Sequence, residues 1–166
     1  MSSPQSAATH APDGSASPLT HAITFRVRYS ETDQLGTFYN SRALEWFECG
    51  RTEFLRHHGL PYAEMETRGV FLPLVEAHVE FRGRARYDDL LQMTTTLSFT
   101  GRARVRLDET IVQADTGKPV ATGYTVHAFT DCGGKPARPP EWFSQALAQG
   151  RPAVGNRIPA SGLRAE

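Results

Sequence analysis

Apolar residues recur along this chain with two different periods. Ile23, Phe25 and Val27 alternate with Thr24, Arg26 and Arg28, which predicts a first strand. From about Asn40 to His57 the period becomes helical. Leu44, Trp46, Phe47, Cys49, Gly50, Phe54 and Leu55 cover much of the circumference of that helix. Such a stretch is about 27 Å long at ~1.5 Å per residue, and a helix apolar over so much of its surface is one that a sheet wraps. Gly59 and Pro61 end it, and residues 62–68 have the pattern of one or two further helical turns. Four more strands follow. Val75, Ala77, Val79 and Phe81 share one face of the first, and Leu91, Met93, Leu97 and Phe99 one face of the second. Ala103, Val105, Leu107 and Ile111 share a phase in the third. Glu109 breaks that phase, which predicts a bulge or a solvated strand end there. Residues 120–130 are apolar on both phases, as in a central or interfacial strand. Asp115-Thr116-Gly117 is a hairpin turn before it, and residues 140–148 read as a short terminal helix. Strand, helix, then four strands predicts an α+β domain, an antiparallel sheet of about five strands with one long helix.

A chain of 166 residues with 39% hydrophobic content suits one globular domain. The expected limits are 21–148. Residues 1–20 and 149–166 are rich in small residues and proline, without periodicity, and are expected to be disordered tails. Formal net charge is zero, with 18 basic and 18 acidic residues, which argues against a general nucleic-acid binder. No apolar run approaches a membrane span, and the first twenty residues lack the basic and apolar regions of a secretory signal. Cys49 and Cys132 have no metal-ligand spacing, and a reducing cytoplasmic location is expected.

The most informative stretch runs from Tyr29 to Asn40, reading Tyr-Ser-Glu-Thr-Asp-Gln-Leu-Gly-Thr-Phe-Tyr-Asn. It carries Asp33 and Gly36 through a short turn into the long helix. A helix N-terminus offers unpaired N–H groups and positive dipole character, which suits a carbonyl oxygen gaining negative charge. A carboxylate facing such an end is a hydrolytic arrangement. Aspartate before a helix also serves simply as a cap or turn former.

Residues 29–56 resemble the 4-hydroxybenzoyl-CoA thioesterase-like acyl-CoA thioesterases, a branch of the hotdog-fold superfamily. The matching residues are Arg28-Tyr29, Glu31-Thr32-Asp33, Gly36, Phe38-Tyr39-Asn40, Trp46-Phe47-Glu48 and Arg51-Thr52-Glu53. Ala85-Arg86-Tyr87-Asp88-Asp89 is a second match, with Arg84 where the family commonly has proline. The resemblance covers roughly residues 22–148. It implies a hotdog fold, with the sheet wrapped around the helix of residues 40–57. It implies hydrolysis of an acyl-CoA thioester to free acid and CoA, with Asp33 as general base or nucleophile. The Asn40 backbone N–H would polarise the thioester carbonyl, with Tyr39 beside it and Gly36 against the substrate. Many relatives have His or Tyr where this chain has Asn40. No metal or redox cofactor is implied, since coenzyme A is part of the substrate, and a homodimer or homotetramer is expected.

Arginines cluster twice, as Arg82, Arg84, Arg86 around Gly83 and as Arg102, Arg104, Arg106 after Gly101. Each set alternates and is expected to share a strand face. Arginine suits phosphate through charge and forked hydrogen bonding. From the resemblance, Arg82, Arg84, Arg102 and Arg104 are the candidates for the nucleotide end of CoA. A solvated strand face or ion pairs between sheets is the plainer role for any one of them. Glu48 is expected to be a partly buried acid paired with Arg51 or another cation, and His78 and His127 to be structural. No phosphate loop, dinucleotide fingerprint, nucleophile elbow or metal-binding set is present. A hotdog hydratase would need a histidine that is not evident. A non-catalytic acyl-CoA or acyl-carrier-protein binding module would have no use for Asp33.

Overall fold

The structure is a computed structural model and describes residues 19–149. Strand β1 (Leu19–Arg26) leads through a single 3₁₀ turn (Tyr29–Glu31) to helix α1 (Arg42–His57), and α2 (Tyr62–Thr67) follows. Strands β2 (Leu74–Phe81), β3 (Leu90–Phe99), β4 (Arg104–Gln113) and β5 (Pro119–Ala128) come next, then α3 (Glu141–Ala148). They form one five-stranded sheet in the order β1-β3-β4-β5-β2, antiparallel at every pairing. The α+β architecture is the one the periodicity predicts. β1 starts at Leu19, before the expected domain edge, and the remainder of both expected tails lies outside the described residues.

Helix α1 lies on one face of the sheet. Its buried residues are Ala43, Trp46, Phe47, Gly50, Phe54 and Leu55, at the three- and four-residue spacing that puts side chains on one helical face. Leu44 and Cys49 are exposed, so the apolar stripe is narrower than the sequence suggested. Phe47 and Phe54 are fully buried, and truncating either to alanine would cost about 3–5 kcal/mol. Gly50 sets the approach of the helix. A Cβ there would lie 2.6 Å from both Met93 Cε and Thr95 Oγ1.

The core has two apolar halves. One gathers Val27, Phe38, Trp46, Phe47, Met93 and Ile111 at the start of α1. The other gathers Phe54, Leu97, Leu107, Phe129 and Phe143 toward its end. Between them on the sheet runs the row Thr95, Glu109, Gly123, paired across three strands. Glu109 is therefore neither bulged nor solvated. It keeps the inward phase of β4 and is 1% exposed; the register shift falls at Ile111/Val112 instead.

Strand β5 is central, between β4 and β2, as its apolar character allowed. β2 is an edge strand, exposed along most of its length, with Leu74, Val75 and Phe81 about half exposed. No helix among the described residues is long and apolar enough to cross a membrane.

Candidate active site

The site is built where β1 ends, β3 begins and α1 starts. The chain leaves β1 and is held down by Val27, whose N–H donates to the Asp89 carbonyl at 3.1 Å. After the 3₁₀ turn, Thr32 and Phe38 bridge to close a short loop with Asp33 inside it. The Asp33 N–H donates to the Thr37 carbonyl at 2.9 Å, and the Gly36 N–H donates back to the Asp33 carbonyl at 3.0 Å. Gly36 has φ +68°, a backbone region that glycine enters without steric cost. Asp33 Oδ1 accepts the Leu35 N–H at 2.8 Å, the local turn bond typical of aspartate. So the plain role of a turn former is real, but it occupies one oxygen. Among the described residues, Oδ2 has no hydrogen bond.

Helix α1 begins at Arg42, two residues later than the sequence suggested, and Ser41 caps it without a side-chain bond. The first-turn amides fold back in short turns: Arg42 N–H to Tyr39 O at 2.9 Å, Ala43 to Asn40 at 3.4 Å, Leu44 to Ser41 at 3.2 Å. The Tyr39 N–H donates to the Glu31 carbonyl at 2.8 Å. The amides of Asn40 and Ser41, just between, have no acceptor among the described residues. Two adjacent open N–H groups at the positive end of a sixteen-residue helix form a donor pair for a developing oxyanion.

The two segments that carry the sequence resemblance meet here. Phe38 N–H donates to the Ala85 carbonyl at 2.9 Å, and the Thr37 hydroxyl spans the Ala85 carbonyl and amide at 3.3 Å each. Asp89 Oδ2 holds that second segment by accepting the Arg86 N–H at 2.7 Å and the Gln113 amide at 3.1 Å.

Residues 27–147 match the family model described as the thioesterase-like superfamily. The chain belongs to that superfamily. Among curated relatives, YneP of Bacillus subtilis is 38% identical over 63 residues, which is 38% of this chain and less than half, 46%, of that protein. The acyl-CoA thioester hydrolase YbgC of Escherichia coli O6:H1 is 30% identical over 90 residues, 54% of this chain and 67% of YbgC. Slr0204, a 1,4-dihydroxy-2-naphthoyl-CoA thioesterase from Synechocystis, superposes with TM-score 0.73 over 78% of this chain and 96% of its own, at 24% identity. That likeness is one of fold, and the fold is the hotdog fold.

Within this member of the superfamily, Asp33, Gly36, Tyr39 and Asn40 share one loop and one helix start. Tyr39 is 56% exposed and its ring contributes no described contact there. The arginines divide. Arg82, Arg84 and Arg86 lie in the loop between β2 and β3, not on a strand face. That places them at the Asp33 end of the sheet, although Arg82 is paired with Glu80. Arg102 lies in the turn before β4, and Arg104 opens that strand. Both are at the far end of β3, roughly 30 Å away at ~3.3 Å per strand residue. One protomer therefore does not bring all four together. Arg106 is committed elsewhere, bonded to Asp108 at 2.7 Å and stacked 3.5 Å over the Tyr124 ring.

Three features went unread in the sequence. Arg138, between β5 and α3, lines an open groove of about 430 Å³ with Arg102; a single arginine in a proline-rich loop gave no signal. Ser41 contributes the second open amide. Glu31 is buried although it sits in an exposed-looking turn. Glu48, by contrast, is exposed and makes no ion pair among the described residues, so the expected pairing with Arg51 is absent. Arg51 instead contacts His127, whose Nε2 is 3.1 Å from the guanidinium and whose Nδ1 is 2.9 Å from the Leu72 carbonyl. The guanidinium can only donate, so Nε2 accepts and Nδ1 carries the proton. Burial, then Arg51, pushes the His127 imidazole down to about 4. No group of three or more His, Cys, Asp or Glu side chains among the described residues could hold a metal ion.

Proposed function

We propose that this protein hydrolyses an acyl-CoA thioester to a free acid and CoA. One observation carries the reading: among the described residues, Asp33 has one carboxylate oxygen unbonded and stands in the loop that leads to the Asn40 and Ser41 amides, which have no acceptor there either, at the start of α1. The thioester carbonyl would sit between them. Asp33 either takes a proton from water as it attacks the acyl carbon, or attacks that carbon itself to form an anhydride that water then opens. In both routes the carbonyl oxygen gains negative charge, and the two amides with the helix dipole stabilise it. The thiolate of CoA leaves. Membership of the thioesterase-like superfamily and the name of YbgC support the same substrate class.

The phosphates of CoA suit the Arg102 and Arg138 groove, which lies at the other end of the sheet from Asp33 within one chain. A second copy that pairs along the open edge of β2 would bring such a groove toward the first copy's site. It would also cover Leu74, Val75 and Phe81, and an uncovered apolar edge is a liability in solution. A homodimer or homotetramer follows from this reading.

The deciding experiment is Asp33→Asn, assayed by direct measurement of released CoA on the best substrate from a panel of acyl-CoAs. Turnover is expected to fall at least ~100-fold with folding intact, the low end of a general-base contribution. Near-wild-type hydrolysis by the folded variant would refute the assignment. A single turnover in ¹⁸O water separates the routes, because only the anhydride route can place label in the Asp33 carboxylate.

A further inference from the structure

Glu31 is two residues from Asp33 and is 8% exposed. Its Oε2 accepts the Arg28 N–H at 2.7 Å and its Oε1 accepts the Trp46 indole N–H at 3.2 Å. Its main-chain carbonyl accepts the Tyr39 N–H at 2.8 Å. The carboxylate lines a cleft in which Ile23, Phe25 and Trp46 supply apolar walls and Arg26, Arg28 and Glu45 supply charged ones. Sheltered from water, a carboxylate with a donor on each oxygen binds them firmly and is costly to leave half paired. The far end of this tether does not yield easily, since the Trp46 ring is buried between Phe25 and Phe38, at 5.2 and 4.9 Å.

The Glu31 carbonyl takes up the Tyr39 N–H, so the next two amides, Asn40 and Ser41, are the ones left open. The Glu31 carboxylate fastens the 3₁₀ turn to α1, and Asp33 follows that turn one residue on, after Thr32. We propose that Glu31 is a positioning residue for the thioester hydrolysis, holding Asp33 at a fixed place against the Asn40 and Ser41 amides. This rests on the assignment of Asp33 made above. A clamp with only a structural role would lower stability and leave the turnover of the folded protein unchanged. Misplacing reacting groups by ~1 Å costs on the order of 100-fold in rate. Glutamine keeps the shape of Glu31 but turns an NH₂ toward one of two N–H donors. Glu31→Gln is therefore expected to lower kcat about tenfold or more with KM within about twofold.

The test compares the wild type with Asp33→Asn, Glu31→Gln, Trp46→Phe and the Glu31→Gln/Trp46→Phe double variant, on the acyl-CoA the protein hydrolyses best, below each melting temperature. Asp33→Asn reports on the underlying assignment alone; if it retains full turnover, that assignment fails, and the positioning role with it. Where Asp33→Asn is inactive, Glu31 is judged separately. Support is a kcat loss at steady KM in both single variants, with the double no worse than the poorer single, because both cut one tether. The proposal is overturned if Glu31→Gln keeps kcat within about twofold of wild type, if its loss lies in KM, or if the double loses the product of the two single losses. If Glu31→Gln does not fold, Trp46→Phe, which keeps an aromatic ring in the core, decides: lost kcat at steady KM supports the role, and unchanged kcat overturns it.

Discussion

Replacing Glu109 with glutamine is expected to stabilise this protein at neutral pH. The carboxyl sits in the middle of the inner face of the sheet, 1% exposed, between Thr95 and Gly123, and neither oxygen has a hydrogen-bond partner among the described residues. Burial pushes it from an ordinary value of 4.5 up to about 9, with Arg51 opposing but not cancelling the effect. In the unfolded chain the same carboxyl ionises near 4.5. Folding at pH 7 must therefore return a proton to it, at about 1.4 kcal/mol for each pH unit above 4.5, or about 3 kcal/mol in all. The sign follows from a raised carboxyl: the stability is complete below pH 4.5, is lost progressively as pH rises, and stops falling above about 9. Glutamine fills the same space and cannot ionise. Glu109→Gln should match wild type near pH 4 and exceed it by about 3 kcal/mol at pH 7, which for a chain of this size raises Tm by roughly 10 °C. Urea unfolding of both proteins at intervals from pH 4 to 9 measures the difference directly. If glutamine destabilises the fold at pH 7, or if the difference does not grow with pH, then Glu109 is ionised in the folded state and Arg51 compensates it.

His127 gives the opposite flank. Its depressed imidazole keeps stability complete above pH 6.5 and loses it as pH falls toward about 4, and NMR titration should find its ring still neutral at pH 5.5; a ring protonated at that pH would refute the burial argument. Asn40→Ala keeps the open amide and should retain activity within roughly tenfold, whereas Asn40→Pro removes it and should lose ~100-fold or more; equal inactivity of two folded variants would assign the chemistry to the side chain. Arg102→Gln with Arg138→Gln should raise KM for an acyl-CoA more than for the corresponding pantetheine thioester, and equal effects on both would refute phosphate recognition in that groove.

Elements set by local periodicity were legible in the sequence. β3 reads correctly because Leu91, Met93 and Leu97 alternate as a half-buried strand must. The body of α1 reads correctly because Trp46, Phe47, Gly50, Phe54 and Leu55 hold a helical spacing. The turn at Asp33 and Gly36 is also local chemistry, one short side chain and one residue free to take positive φ. What the tertiary structure alone decided involves partners far apart along the chain. Glu109 faces inward because the pleat of β4 carries every second residue to the core, and pairing with β3 and β5 fixes that phase whatever the residue's charge. Glu31 is buried because Trp46, fifteen positions later, presents an indole N–H to it. Arg102 and Asp33 fall at opposite ends of one protomer because β3 runs the length of the sheet between them. Residue spacing encodes which face a side chain occupies on its own element. It does not encode which other element that face will meet, and the long-range bonds of this site, Phe38 to Ala85 and Trp46 to Glu31, arise from those meetings.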